Sequence, residues 1–502
     1  MRGLLSLVAA LTLVASASGA NARTDTSAAR VEGGVAVGDV TATAAVVWGR
    51  ANTPSTMHVE LVLGRRVVRR GQARATRASD DTAQVRFRRL TPRRLYVYRV
   101  WFGPARTRIV RGSFRTWPAA RSRPRPLKLV LGADVGGQTR CRDAAVGGYG
   151  IFREISRVHP DALIANGDFV YVDGTCPASG AQWQNIPGTF ANVLDVDWTD
   201  VGATREAVLG HWRYNRVDPF QQALLRTTPV YAQWDDHEVV NDFGAQWTYW
   251  NRDTRNRAGF PNLVAAGRDS FFDYWPITRI RETAAGIPGR HGRDRIYRSF
   301  RLGRDAALFL LDARSYRARN DVEDTGAAKP LLGAAQVRWL ADSLARSTAT
   351  WKLVSTDVPL FIPTCNAFGC DAFANAGTAT GFERELRSLL TQLDARHVRN
   401  VVFLTTDVHY PRMLRAAVDA NGDGRPLVVH QLVAGPLSAI ALPVGALDAD
   451  VAGLPVQLES LYAEGGILNF GVVSVSGRNL VADVRGADGA VRPGSRLALS
   501  AR

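Results

Sequence analysis

The chain has 502 residues, 46% hydrophobic and 22% charged. That balance excludes a disordered chain and gives length for about three domains of ordinary size. Its 63 Lys and Arg exceed 46 Asp and Glu for a formal charge of +17, and lysine occurs only at Lys128, Lys329 and Lys352, so the excess is almost wholly guanidinium. Collagen, coiled coil and a small disulfide scaffold are excluded by the same composition.

Residues 1–22 read as an export signal. Arg2 gives the positive start, Leu4 to Val14 is a short apolar run, and Ala20-Asn21-Ala22 is a small-x-small cleavage site. The run is too short for the ~30 Å hydrocarbon of a bilayer, and one arginine before it does not suggest the twin-arginine route. The expected location is secreted or periplasmic. Export permits disulfides. Of the three pairings open to Cys141, Cys176, Cys365 and Cys370, the short polar loop between Cys365 and Cys370 favours their union, leaving Cys141 with Cys176.

Residues 29–118 read as all-β. The runs Ala44–Trp48, Met57–Leu63, Ala83–Phe87 and Leu95–Phe102 are rich in Val, Thr, Tyr and Trp and are separated by turn residues. The expected architecture is a small immunoglobulin- or fibronectin-like sandwich. Arg65, Arg66, Arg69, Arg70, Arg93 and Arg94 suit docking to an anionic envelope polymer or lipid surface. The alternative is the solvated face of a basic protein. The interleaved aromatic and basic pattern of a specific nucleic-acid module is missing. Residues 119–126, with Pro124 and Pro126 among arginines, make an extended linker.

From 127 to 502 apolar runs of strand length alternate with helix-like stretches such as Phe152–Val158 and Ala334–Ala345, an α/β pattern. Five of the runs stop at or just before a carboxylate: LKLVLGAD at Asp134, ALIANGD at Asp168, PVYAQWDDHE at Asp235 to Glu238, WKLVSTD at Asp357, and NVVFLTTDVHY at Asp407 and His409. Ligands of α/β sheets bind beyond the carboxyl ends of the strands, and acids gathered there repel one another unless cations neutralise them. A polynuclear metal site follows. For any single Asp, a turn or helix cap is the simpler reading; the repetition is what favours a site. Glu238, Asp242 and Asp173 read as supporting or capping groups.

The set GADVGGQ, NGDFVYVDG, WDDHEVVND, TDVPL and TTDVHY resembles the calcineurin-like metallophosphoesterases, and within them the PhoD-like alkaline phosphatase and phosphodiesterase family. The likeness extends from EGGVAVGDVTATAAVVWGR through LLDARSYR to NFGVV near Phe470. It implies a four-layer α/β/β/α sandwich behind the β-rich start, and hydrolysis of phosphate diesters or monoesters by metal-activated water. Carried over by position, Asp168 bridges two metals, and Tyr171 and His409 ligate the first. Asp236, in the slot usually held by Asn, and Asp407, where a His is usual, ligate the second. Asp357 stands where many relatives have His before Pro, and Asn241 is a further second-metal candidate. His237 matches the group that protonates the leaving oxygen. Asp134 replaces the family's usual Cys; with Gly136 it makes a D-x-G resembling purple acid phosphatases.

An oxygen-rich ligand set favours hard cations. A phenol with its pKa about 10 calls for a strong Lewis acid, so Fe(III) is expected at the first position and Ca²⁺, or else Mn²⁺ or Zn²⁺, at the second. Arg314, in LDARSYR, can bind substrate phosphate through its planar fork or form a salt bridge with Asp312 or another acid. Competing readings are a purple-acid-phosphatase-like monoesterase, a phospholipase D-like diesterase, and an inactive metal-binding scaffold that docks envelope polymers.

Overall fold

The mostly apolar runs become central strands. A computed structural model describes residues 29–178, 184–244, 257–282, 286–325 and 329–502; the expected export signal at 1–22 lies outside them. Strands Leu127–Gly132, Ala162–Asn166 and Val230–Gln233 pair in parallel, as do Ala306–Leu310, Trp351–Ser355, Val401–Thr405 and Leu427–Val433. Parallel strands are covered on both faces, which is why these sequences show no polar alternation.

Each group is the middle of a larger sheet. The first has nine strands, in the order Leu497–Ser500, Asn479–Gly486, Asn469–Ser476, Leu127–Gly132, Ala162–Asn166, Val230–Gln233, Val31–Gly38, Ala45–Ala51 and Thr82–Phe87. The second has seven, with Arg298–Arg301 at one edge and Arg412–Val418 and Gln457–Ala463 at the other. Leu129, Leu131 and Ile164 of the first sheet share one core with Leu308, Leu353 and Leu404 of the second. On the reverse faces, Val130 and Leu163 share a core with residues of helices Gly150–Arg157 and Phe260–Tyr274. Phe309, Val354 and Phe403 do so with Ala334–Arg346 and Glu383–Ala395. The helix Ala334–Arg346 buries Val337, Leu340, Ala341 and Leu344, an i, i+3, i+4, i+7 stripe. Each larger side chain there contributes about 1.5–3 kcal/mol by burial. Helix Val201–Arg216 begins where Asp200 accepts hydrogen bonds from the amides of Gly202 and Ala203, a cap worth about 1 kcal/mol.

The β-rich start divides between sheets. Strands Arg66–Ala75, Ser55–Leu63, Leu95–Phe102 and Val110–Arg115 form a sheet of their own. Val31–Gly38, Ala45–Ala51 and Thr82–Phe87 instead extend the nine-stranded sheet, through a parallel pairing of Gly38 with Val230. Side chains reinforce the join. Arg298 grips Asp39 at 2.9 Å with both fully buried, Arg213 holds Asp80 at 2.6 Å, and Trp117 donates to the Tyr231 hydroxyl at 2.6 Å. The expected disulfides Cys141–Cys176 and Cys365–Cys370 are both present. Among the described residues, no helix is long and apolar enough to cross a membrane.

Candidate metal centre

Parallel strands of both sheets end at one edge of the molecule, and the chain turns sharply just past them. Asp134, Asp168, Asp407 and His409 have φ of 60°, 52°, 73° and 57°, left-handed values that cost non-glycine residues about 1–3 kcal/mol each and gather at functional sites. Gly167 lets two strand ends approach: a Cβ there would lie 2.4 Å from that of Asp235, at φ 88°.

Asp134, Asp168, Tyr171 and His409 make one half of the cluster. The His409 Nδ1–H donates to the Ile440 carbonyl at 2.6 Å, which leaves Nε2 with the lone pair. That nitrogen lies 3.0 Å from the Tyr171 hydroxyl and 3.8 Å from Asp134 Oδ1. Burial depresses the His409 pKa to about 4, so the ring is neutral, the form that binds metals. Burial first, and then the charges of Asp168, Asp134 and Asp236, hold the Tyr171 phenol well above its ordinary value; only a strongly acidic cation would make it a phenolate. The Asp134 carboxyl is fully buried with no partner on either oxygen, and desolvation followed by the nearby Asp236 and Glu238 pushes its pKa up, against the opposing pull of His237.

Asp236 is the hub of the other half. Donor atoms of Asp168, Asp236 and His237 lie within 4.8 Å of one another, as do those of Asp235, Asp236 and Asp407, and of Asp236, Asp242 and Asp371. Asp236 Oδ1 is buried without a hydrogen-bond partner, and so are Asp235 Oδ2 and Asp357 Oδ2, although Arg314 Nε stands 3.5 Å from the last. Buried polar atoms are almost always paired, and a carboxylate left unpaired in a dry site is costly. Two half-sites of oxygen, one neutral imidazole and one phenol therefore fit hard cations.

The residues read from sequence are mostly gathered here, with two exceptions. Asn241 is exposed, and its backbone amide donates to Asp173 Oδ2 at 2.9 Å. Arg314 is fully buried instead of facing a cleft. Its Nε donates to Asp235 Oδ1 at 2.6 Å, and its two terminal nitrogens grip Asp371 at 2.8 and 2.6 Å. Asp357, Asp236 and Asp407 lie 3.5, 3.8 and 3.9 Å from it. The salt-bridge alternative describes its place, with Asp235 and Asp371 as the acids; Asp312 serves the Arg314 backbone amide at 3.2 Å. Asp371 is not legible as a site residue because the strand before it, Gly369–Cys370, is only two residues long and follows no apolar run. Its one sequence signal is the position directly after Cys370, where a crosslink fixes the backbone.

Two supporting groups act as read. Glu238 accepts from the amides of Asp168, Phe169 and Asp235 at 2.8–3.0 Å, tying two strand ends together. Asp173 accepts from His237 Nδ1 at 2.7 Å. Burial works to lower the His237 pKa, but Asp173, Asp236 and Asp168 outweigh it and leave it well above the ordinary imidazole value. The His237 ring stacks on Tyr171 at 4.0 Å.

Buried carboxylate oxygens that lack a hydrogen-bond partner, held beside the His237 imidazole, are the equipment of a metal-dependent hydrolase. Comparison with known proteins narrows that class. Residues 136–470 match the PhoD-like phosphatase model and residues 15–118 the PhoD-like phosphatase N-terminal domain; the chain belongs to the PhoD-like phosphatase family. It is 24% identical over 357 residues to alkaline phosphatase D of Bacillus subtilis (strain 168), across 69% of this chain. The match covers 56% of that protein's length. A solved structure described as PhoD superposes with a TM-score of 0.71 at 19% identity, covering 92% of this chain and 88% of the other.

Proposed function

We propose that the chain is an exported phosphoric ester hydrolase with a dinuclear metal centre, acting on phosphate diesters, monoesters or both. The observation that carries this reading is the set of buried oxygens of Asp134, Asp235, Asp236 and Asp357 that accept no hydrogen bond, beside His237. Asp134, Tyr171 and His409 would hold the first cation, proposed as Fe(III). Asp236, Asp407 and Asp357 would hold the second, proposed as Ca²⁺, and Asp168 would serve both. When bound, the cations supply Lewis acidity toward the phosphoryl oxygens and toward water.

The chain's own groups do the rest. His237, kept protonated by Asp173, hands a proton to the departing oxygen, a contribution of roughly 10²–10⁴-fold. Arg314 spaces Asp235 and Asp371 and limits their repulsion while the centre is empty of cations. The shared core between the two large sheets and the helices on their reverse faces support a four-layer α/β/β/α sandwich. The strand order of residues 29–118 supports an immunoglobulin- or fibronectin-like unit joined by 119–126 to a catalytic domain at 127–502. In that unit the buried Glu60 is met by Arg70, Arg99 and Arg106, and the surplus of cations over it would suit an anionic envelope polymer or lipid surface.

Turnover of a chromogenic phosphodiester by the purified protein, abolished by Asp168→Ala, is the expected result; a metal-loaded protein that hydrolyses neither diesters nor monoesters sinks the reading. The grouping of Asp134 with Tyr171 and His409 favours a purple-acid-phosphatase-like monoesterase as the second reading, separated by the ratio of diester to monoester rates.

A further inference from the structure

The first half of the centre is assembled from both sheets: Asp134 and Tyr171 come from the nine-stranded one and His409 from the other. What sets their separation is the segment from Ala434 to Leu442, which leaves strand Leu427–Val433 and crosses to the opposite sheet. Leu437 N donates to the Ala133 carbonyl at 2.9 Å, and Ser438 N and Ala439 N both donate to the Asp134 carbonyl at 3.0 Å. The Ser438 hydroxyl accepts from Gly136 N at 2.9 Å. From the same segment, the Ile440 carbonyl fixes the tautomer of His409, and Leu442 N donates to the His409 carbonyl at 2.9 Å. Contact is tightest at Gly435, where an added Cβ would stand 2.4 Å from Asp134 Oδ2, at φ 121°.

One side chain closes this segment onto the first sheet. Asn469, fully buried at the start of strand Asn469–Ser476, accepts from Gly435 N at 3.0 Å and donates to Gly435 O at 2.6 Å. Its own backbone amide donates to Pro436 O at 2.9 Å. A primary amide is the side chain that can do both at once, since it carries an acceptor and a donor on one short arm. The antiparallel pairing of its strand with Leu127–Gly132 places Asn469 at the same edge as Asp134.

We infer that Asn469 is a positioning residue for the first metal: it clasps the crossing segment and thereby sets the distance between Asp134 and His409. The inference rests on the metal-centre reading, and its test measures metal content apart from turnover. Groups that orient ligands typically change metal affinity by about 10–100-fold when removed. Wild type, Asn469→Ala, Asn469→Asp and Val473→Ala are dialysed against graded iron and calcium, and the bound metals are counted by elemental analysis. Val473 is buried in the same strand, so its truncation weakens the sheet without touching the clasp.

The expected result is iron affinity lower by about 10–100-fold in Asn469→Ala, with calcium retained, and both metals retained in Val473→Ala. Asn469→Asp, which keeps the acceptor and loses the donor, should fall between, and it carries the test if the alanine variant does not fold. Unchanged iron binding, equal loss of both metals, or the same loss in Val473→Ala overturns the inference. A wild type that takes up no metal instead overturns the functional reading beneath it.

Discussion

Replacing Arg314 with methionine would keep most of the side chain's bulk and delete its charge. In the folded protein that charge is the partner of Asp235 at 2.6 Å and of both oxygens of Asp371, with three further carboxylates within 4 Å. Removing one member of a buried ion pair typically costs about 3–5 kcal/mol, because the other member is left charged and dry. The Asp371 carboxyl gives the pH dependence. Burial acts to raise its pKa, but Arg314 and Arg317 outweigh burial and hold it below the ordinary value. A carboxyl depressed in the native state adds stability above its unfolded pKa of about 3.9, and that stability is lost as pH falls through the folded value. Urea unfolding in chelator should therefore show Arg314→Met less stable by about 3–5 kcal/mol at pH 7. The deficit should shrink below about pH 4 as the acids protonate in both proteins. Added calcium should recover part of it by supplying another cation. Wild-type stability in chelator, joined to a raised KM for a chromogenic diester, would refute the reasoning and return Arg314 to the substrate.

Other outcomes follow from the same geometry. Asp80 is held below its ordinary pKa because Arg213, Arg50 and Tyr274 together outweigh its burial. Asp80→Asn should thus cost about 2 kcal/mol by the loss of charge-assisted hydrogen bonds, with the difference, in acid titrations of unfolding, starting to shrink below about pH 4 and disappearing only as pH falls through the lower folded-state value. Joint replacement of Cys141 and Cys176 by serine opens a crosslink across 35 residues, and should lower stability in urea by about 3–4 kcal/mol. Asp236→Ala and Asp407→Ala should each lose calcium and nearly all turnover with an unchanged far-ultraviolet spectrum; wild-type rates in either would misplace the centre. The iron-loaded protein should be coloured by a phenolate-to-iron transition, and Tyr171→Phe should bleach it. Survival of the visible band in that variant would remove Tyr171 from the ligands.

The acids at strand ends were legible because a parallel strand announces itself as a mostly apolar run and a carboxylate follows soon after it. Asp134, Asp168, Asp236 and Asp407 each come two or three residues past the end of such a strand. Asp371 does not, since a short crosslinked loop brings it in. Arg314 was visible as a cation near a strand end. Which way it pointed depended on Asp371, so its burial could not be read. Asn469 opens the family-like run NFGVV, but its role depends on a segment more than thirty residues earlier in the chain. The β-rich character of residues 29–118 was plain from short strands and turns. That three of those strands would extend the central sheet was not, because the pairing of Gly38 with Val230 spans a sequence distance on which local pattern is silent.

The nine-stranded sheet is ordered in space very differently from the chain. Its interior strand Leu127–Gly132 is flanked on one side by Ala162–Asn166 and on the other by Asn469–Ser476. During synthesis, more than three hundred residues must follow that strand before its second neighbour exists. Until then LKLVLG presents an open, apolar edge, the kind of surface that recruits other chains. Late closure of this sort predicts slow folding dominated by distant pairings, and an incomplete chain ending before Asn469 should aggregate. The strand that covers this edge also begins with Asn469, the residue that clasps the metal-side segment, so the first half-site cannot be completed before that late pairing forms.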